Sequence, residues 1–160
     1  MDKEKIVKDK MRYEYACQIA DWKYDGEYSV YDMPSIEEMK EKGYGILKEE
    51  KADNYICYLI DKELVAYVNM KEMEDKRIFV GIGLKPEYCG NGNGNYFLND
   101  SLEEIKKRFP GQGIYLEVRS WNERAIKAYK KVGFEVVKTE IKKDRLGNDS
   151  EFIVMDYIEK

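Results

Sequence analysis

Leu84-Lys85-Pro86-Glu87-Tyr88-Cys89-Gly90-Asn91-Gly92-Asn93-Gly94 is the stretch on which the reading of this chain turns. Before it runs the β-rich segment Arg77-Ile-Phe-Val-Gly-Ile-Gly-Leu84. After it, Phe97, Leu98, Leu102 and Ile105 recur at helical spacing and stop short of Pro110. A strand that passes through glycines into a helix leaves backbone amides free at the helix N-terminus, where the helix dipole favours an anion. A phosphate or pyrophosphate is the natural guest. A Walker loop is excluded, because Gly94 is followed by Asn95-Tyr96 and not by Lys-Ser/Thr. The Rossmann fingerprint needs glycine where Asn95 stands. Alone, the motif reads equally well as a flexible turn.

Upstream of the loop, Tyr55–Ile60 and Leu64–Asn69 are β-rich and flank a turn at Asp61-Lys62. With 77–84 they form an antiparallel meander. Glycines late in that third strand mark a bulge or a close backbone approach. Met11, Tyr15, Ile19 and Trp22 predict an amphipathic helix over 10–24. Residues 25–34 read as a loop. Ser35 followed by Glu38 is a capping-box pattern that starts a second helix over 36–42, near Gly43.

Downstream, Ile114–Val118 reads as a strand. Asn122–Val132 reads as a helix, capped by Asn122 and ended by Gly133. Phe134–Lys142 and Phe152–Ile158 are two closing strands around Leu146-Gly147-Asn148. The order is helices, three strands, helix, strand, helix, two strands. It predicts one mixed sheet with helices on both faces, hence an α/β or α+β fold.

The chain has 160 residues, which predicts one domain over 1–160. Hydrophobic residues make up 43% and aromatics 13%, enough for a core and too much for disorder. The net charge is −4 with both signs mixed, which argues against non-specific nucleic-acid binding. There is no histidine, so Ser-His-Asp and Cys-His catalysis and histidine-based zinc sites are excluded. Acid–base chemistry falls to Tyr, Glu, Asp, Lys, Cys or water. Cys17, Cys57 and Cys89 are odd in number and form no CxxC, which predicts reduced thiols in a cytoplasmic protein with no metal. No stretch approaches the ~20 apolar residues of a membrane span.

The stretch 84–94 resembles the acetyl-CoA loop of the GNAT superfamily of acyl-CoA-dependent N-acyltransferases, a hydrophobic-x-Pro-Glu-Tyr-Arg-Gly-x-Gly-x-Gly string at the end of a central strand. Asn122-Glu-Arg-Ala-Ile-Lys-Ala-Tyr-Lys-Lys-Val-Gly-Phe134 resembles the second signature of that family, Asn-x-x-Ala-(Ile)-x-x-Tyr-x-x-x-Gly-Phe. The resemblance covers roughly 77–137. It implies a mixed, mostly antiparallel twisted sheet of about six or seven strands, splayed at its middle. Two departures stand out. Cys89 replaces the usual Arg or Gln, and Phe79–Leu84 lacks the carboxylate that many members carry.

The resemblance implies that backbone groups of Leu84 and Ile82 meet the pantetheine arm of acetyl-CoA. Backbone amides across Cys89, Gly90, Asn91, Gly92, Asn93, Gly94 and Asn95 would hold its pyrophosphate. Asn122 would hydrogen-bond the pantetheine, although it is equally suited to be a helix cap only. Tyr129 would protonate the leaving thiolate. Without the surrounding motif, Tyr129 reads as a core aromatic in the stripe Ala125, Ile126, Tyr129, Val132. Glu117 and Glu87 are the candidate bases for the acceptor amine, with water leading to bulk a third route, and each glutamate is also an ordinary surface carboxylate or ion-pair partner.

Trp22, Tyr24, Tyr28 and Tyr31, interspersed with Asp21, Asp25, Glu27 and Asp32, suit a cationic amine through aromatic faces and charge. A helix end packed on the core, followed by a solvated loop, explains them equally well. The implied activity is direct transfer of acetyl to a primary amine, on a small molecule or a peptide. A ping-pong route through Cys89 ranks below it. The alternative is a non-catalytic acyl-CoA-binding or sensing module, and a nucleotide-binding regulator is third. A homodimer is expected by analogy with the resembled family only.

Overall fold

The described residues form seven strands and four α-helices: β1 (Val7–Asp9), α1 (Tyr13–Ala20), α2 (Ile36–Lys42), β2 (Tyr55–Ile60), β3 (Glu63–Glu72), β4 (Ile78–Leu84), α3 (Asn93–Arg108), β5 (Ile114–Arg119), α4 (Glu123–Val132), β6 (Phe134–Lys143) and β7 (Asp149–Tyr157). A computed structural model describes residues 1–158. The strands make one open sheet in the order β1-β2-β3-β4-β5-β7-β6. The pairs β1/β2, β2/β3, β5/β7 and β6/β7 are antiparallel, and β4/β5 is parallel. The mixed, mostly antiparallel sheet expected from the sequence is therefore present. The β4/β5 register covers only Ile78↔Ile114 and Phe79↔Tyr115, after which β4 continues without β5.

The chain divides into two compact units. The first holds residues 1–69 and 82–93; the second holds 70–81 and the chain from Gly94 onward. In the first, Tyr15, Ala16, Ile19 and Ala20 make the buried face of α1 and join Met39, Ile46, Cys57, Leu59 and Leu64 in one core. In the second, Phe97, Leu98, Leu102 and Ile105 are buried, as their spacing predicts, with Leu116, Phe134 and Met155. Each such side chain contributes about 1.5–3 kcal/mol. Among the described residues, no helix is long and apolar enough to cross a membrane.

Local chemistry sets the boundaries. The Ser35 hydroxyl accepts from the Glu38 amide at 3.2 Å, and Gly43 ends α2 with φ +65°. Asp61 and Lys62 turn the β2–β3 hairpin with φ of +49° and +69°. The first helix corrects the sequence expectation: it is Tyr13–Ala20, not 10–24. The Met11 amide bonds the Ala52 carbonyl at 3.2 Å, and Arg12 is extended. The Asp9 carboxylate accepts from Arg12 Nε at 2.7 Å and from the Tyr15 hydroxyl at 2.6 Å. These contacts hold 9–12 out of the helix and leave Val7–Asp9 to pair with β2, a strand too short to show alternation in sequence. Residues 25–34, expected as a loop, contain a 3-10 segment, Gly26–Tyr31.

Gly83 is the close approach that the glycines of β4 announce. A Cβ there would lie 2.4 Å from Cε1 of Tyr67 on β3. Gly83→Ala should therefore destabilise the protein by about 1–3 kcal/mol, the usual cost of overpacking a well-filled site. The urea midpoint measures it, and an unchanged midpoint refutes the interlock.

Tyrosine burial generates a pH prediction. The Tyr15 phenol is pushed up to about 12, first by burial and then by its hydrogen bond to Asp9. Burial also raises Tyr24 and Tyr67. The unfolded chain ionises near the ordinary tyrosine value of ~10 while the folded one keeps its protons. Stability from these groups is complete below that value and is lost as pH rises through the folded values. Denaturant midpoints should fall as pH rises from about 10 towards 12, and Tyr15→Phe should flatten the fall.

Candidate functional site

The glycine loop is built by its own backbone. Pro86–Tyr88 form a 3-10 turn, closed by the Cys89 amide donating to the Pro86 carbonyl at 3.2 Å. Gly90, Asn91 and Gly92 follow with φ of +83°, +55° and +76°, a left-handed run that only glycine and, less readily, asparagine adopt at low cost. Asn93 then opens α3. Its amide donates to the Gly90 carbonyl at 3.3 Å and its side-chain Nδ2 to the Tyr88 carbonyl at 3.0 Å. Among the described residues, the amides of Gly90, Asn91, Gly92, Gly94 and Asn95 donate to no protein group. The first-turn amides of a helix have no intrahelical partner. Such a row suits an anion with several oxygens.

The strand leading into the loop ends on a hydrogen bond from outside the sheet. The Tyr24 hydroxyl donates to the Leu84 carbonyl at 2.6 Å, and the Tyr24 amide donates to Asp32 Oδ1 at 2.9 Å. Leu84, expected to offer its backbone to a ligand, thus already accepts one internal bond. Ile82 is half-buried on the same strand. The Cys89 thiol is turned to the Lys85 carbonyl, 3.8 Å away. Trp22 is only 6% exposed and stacks on Tyr67 at 6.0 Å, so it belongs to the core and not to an exposed acceptor surface. Tyr28 is half-buried and Tyr31 is exposed.

In the second unit, Asn122 caps α4. Its Oδ1 accepts from the Ala125 amide at 3.2 Å, and the residue is buried. The cap reading of Asn122 is therefore observed. Tyr129 lies two turns on. Its ring meets Phe134 edge-on at 6.3 Å, and Gly133 ends the helix by donating to the Tyr129 and Lys130 carbonyls. No residue of α4 is fully buried. Ala125, Ile126, Tyr129 and Val132 are nevertheless each half-buried while Glu123, Arg124, Lys127, Lys130 and Lys131 are exposed, so Tyr129 lies on the packed face of the helix, where a core aromatic and a functional phenol are both accommodated.

Both candidate bases are ion-paired. Glu87 is exposed and lies 3.2 Å from Lys85 Nζ, which also bonds Glu63. That bond to Glu63 is the first cause of the raised Lys85 pKa. Glu117 is bonded to Lys142. Tyr67, which carries no motif and reads in sequence only as a strand aromatic, lies beside Trp22 and Gly83, with the Tyr55 ring next to it. Among the described residues, no group of three or more His, Cys, Asp or Glu is placed to hold a metal.

Residues 13–134 match the model of the acetyltransferase (GNAT) family. An N-alpha-acetyltransferase from Sulfurisphaera tokodaii is 33% identical over 104 residues, 58% of this chain and 62% of that protein. The chain thus spans about three-fifths of the length of that curated relative. A spermidine N-acetyltransferase chimera from Vibrio cholerae and hSSAT superposes with a TM-score of 0.75 at 16% identity, covering 96% of this chain and 95% of that one. Arabidopsis thaliana Naa50, in complex with the bisubstrate analogue CoA-Ac-MVNAL, superposes with a TM-score of 0.67 at 21% identity, covering 97% and 99%. At such identities the two structural likenesses speak to the fold.

The cap separates two roles of Asn122. Asn122→Ala should lose about 1 kcal/mol of stability, while Asn122→Asp, an equally good cap, should lose little. Urea denaturation of both variants checks this; equal losses would place the weight on the amide nitrogen instead.

Proposed function

The chain belongs to the acetyltransferase (GNAT) family, and on that footing we propose that it transfers acetyl from acetyl-CoA to a primary amine by direct attack. The supporting observation is the row of unsatisfied amides from Gly90 to Asn95 at the mouth of α3. These amides hold the pyrophosphate of the cofactor, with the helix dipole adding to the attraction. Cys89 supplies no charge there, and the amides carry the binding alone. The backbone of Ile82 and Leu84 guides the pantetheine arm, and the Asn122 amide nitrogen steadies it while Oδ1 keeps the cap.

Tyr129 is the general acid. The amine nitrogen forms a bond to the acyl carbon, the carbon–sulfur bond breaks, and the departing thiolate takes the phenolic proton. The proton shed by the nitrogen returns to Tyr129 or to solvent. A phenol near ~10 can protonate a thiolate whose conjugate acid lies near ~8.5 when water is kept away. Glu117 and Glu87 stay in their ion pairs, and no covalent enzyme intermediate is needed. Cys89 remains a wall of the loop. The N-alpha-acetyltransferase relative favours the α-amine of a peptide as acceptor, taken up alongside Tyr24, Tyr28 and Tyr31.

The non-catalytic acyl-CoA-binding reading draws on Cys89 and on the absence of a carboxylate in β4. One pair of measurements separates it from transfer. Coenzyme A should raise the Tm of the protein, since a ligand of the native state stabilises it. Thiol release from acetyl-CoA should then appear with free-amine peptides. Tyr129→Phe should cut kcat by about 10²–10⁴-fold, the span of general acid catalysis, while the Tm shift persists. Full turnover in Tyr129→Phe refutes the assignment. Stabilisation without thiol release on any amine favours the binding module.

A further inference from the structure

β6 is the last strand in the sheet order, and among the described residues no strand pairs with its outer edge. It is 10 residues long. Phe134 is buried and Glu140 half-buried; every other residue of β6 is exposed. Val136, Val137 and Ile141 are among them, Ile141 at 71%. Leu146, in the turn that follows, is exposed as well. A long, open edge with apolar side chains offers its unpaired N–H and C=O groups to another strand.

The register shows which side chains of β6 share a face. Glu117, Val154 and Lys138 stand in line across β5, β7 and β6, as do Arg119, Phe152 and Glu140. Tyr115, Asp156 and Glu135 make a third row. Residues two apart on a strand point the same way, so these rows lie on one face. Lys142 joins that face, bonded to Glu117 and 4.9 Å over the Phe152 ring. Val136, Thr139 and Ile141 take the other face. Val137 is the extra residue of a bulge, because Val136 pairs with Met155 and Lys138 with Val154. Passing over Val137, the strand from Glu135 to Lys142 reads acidic, apolar, basic, Thr139, acidic, apolar, basic. Laid against itself in reverse, that order is its own complement.

We propose that β6 pairs antiparallel with β6 of a second copy of this chain, about a two-fold axis that passes through Thr139 normal to the sheet. Lys138 then faces Glu140 of the partner subunit, Glu135 faces Lys142 of the partner subunit, and Val136 faces Ile141 of the partner subunit. The axis repeats each contact. Opposite charges and apolar pairs are favourable cross-strand neighbours, and like charges are unfavourable ones. Moving the axis to Lys138 sets that lysine against its own symmetry mate and Glu135 against Glu140 of the partner subunit. Moving it to Glu140 sets that glutamate against its own mate and Lys138 against Lys142 of the partner subunit. Only the Thr139 axis joins the whole strand without apposing like charges. An edge lysine and a bulge ordinarily keep foreign strands away. Here the lysine meets a carboxylate on an antiparallel copy of its own strand, and the bulge is passed over as β7 already passes over it. One strand edge is less than a standard interface, so the association is reversible and depends on concentration.

Sedimentation equilibrium of the full chain should show the mass rising from monomer towards dimer as protein concentration increases. Lys138→Glu and Glu140→Lys each place two like-charge pairs across the axis, and each should raise the dimer dissociation constant about tenfold or more. Each also breaks the Lys138–Glu140 pair within the strand, 2.7 Å apart and exposed, which contributes little, so the Tm of each should stay close to that of the parent. Mixed in equal amounts, the two variants should associate again as a heterodimer. Opposite charges then face each other across the axis, while within each chain the pair stays broken. A parent that remains monomeric at every concentration overturns the inference. A dimer that both variants leave intact overturns it too, because its interface lies elsewhere. A mixture that stays monomeric does the same, since the substitutions then act within each chain and not between copies. None of these outcomes bears on the acyl-transfer reading, which is tested by thiol release.

Discussion

A backbone amide that no protein oxygen satisfies must face water or a ligand, and this chain gathers such amides in one place. Strand, left-handed turn and helix start follow each other from Leu84 to Asn95. The turn is tied at its ends by Asn93 and Cys89, so its open amides are held in position. The exposed glycines keep the approach clear: a Cβ at Gly90 or Gly92 would meet nothing within 4 Å, but it would have to adopt positive φ. Glycine is therefore required there by backbone conformation and not by crowding.

Gly83 is required for the opposite reason, because a neighbour fills the space that its side chain would take. The Tyr67 ring fills it, steadied by Trp22 and Tyr55. The aromatic group beside β4 thereby does two jobs. Its rings pack against the core of the first unit, and the Tyr24 hydroxyl holds the strand where it ends at Leu84. The Tyr24–Leu84 hydrogen bond joins the segment after α1 to that same strand end across 60 residues of sequence. Local packing and the chemistry proposed for the site are thus carried by the same side chains.

Much was legible beforehand because it is local. The Ser35 and Asn122 caps, the Asp61-Lys62 turn and the buried face of α3 each follow from a few neighbouring residues, and each appears as read. The first helix was overestimated because Met11 and Trp22 share its apolar periodicity. Met11 nevertheless serves the core from extended backbone, and Trp22 from beyond the helix end. For Trp22 the sequence left two readings open, a cation site and a helix end packed on the core, and its burial supports the second.

The sequence by itself determined the order of elements from the first helix onward, the glycine loop and the family, because hydrophobic periodicity, capping and backbone conformation are short-range and are written in consecutive residues. Tertiary structure alone decided that Glu87 and Glu117 are spent on lysines and that Tyr24 binds Leu84. Those outcomes depend on which side chains meet after the strands have paired. Partners tens of residues apart leave no local pattern to read.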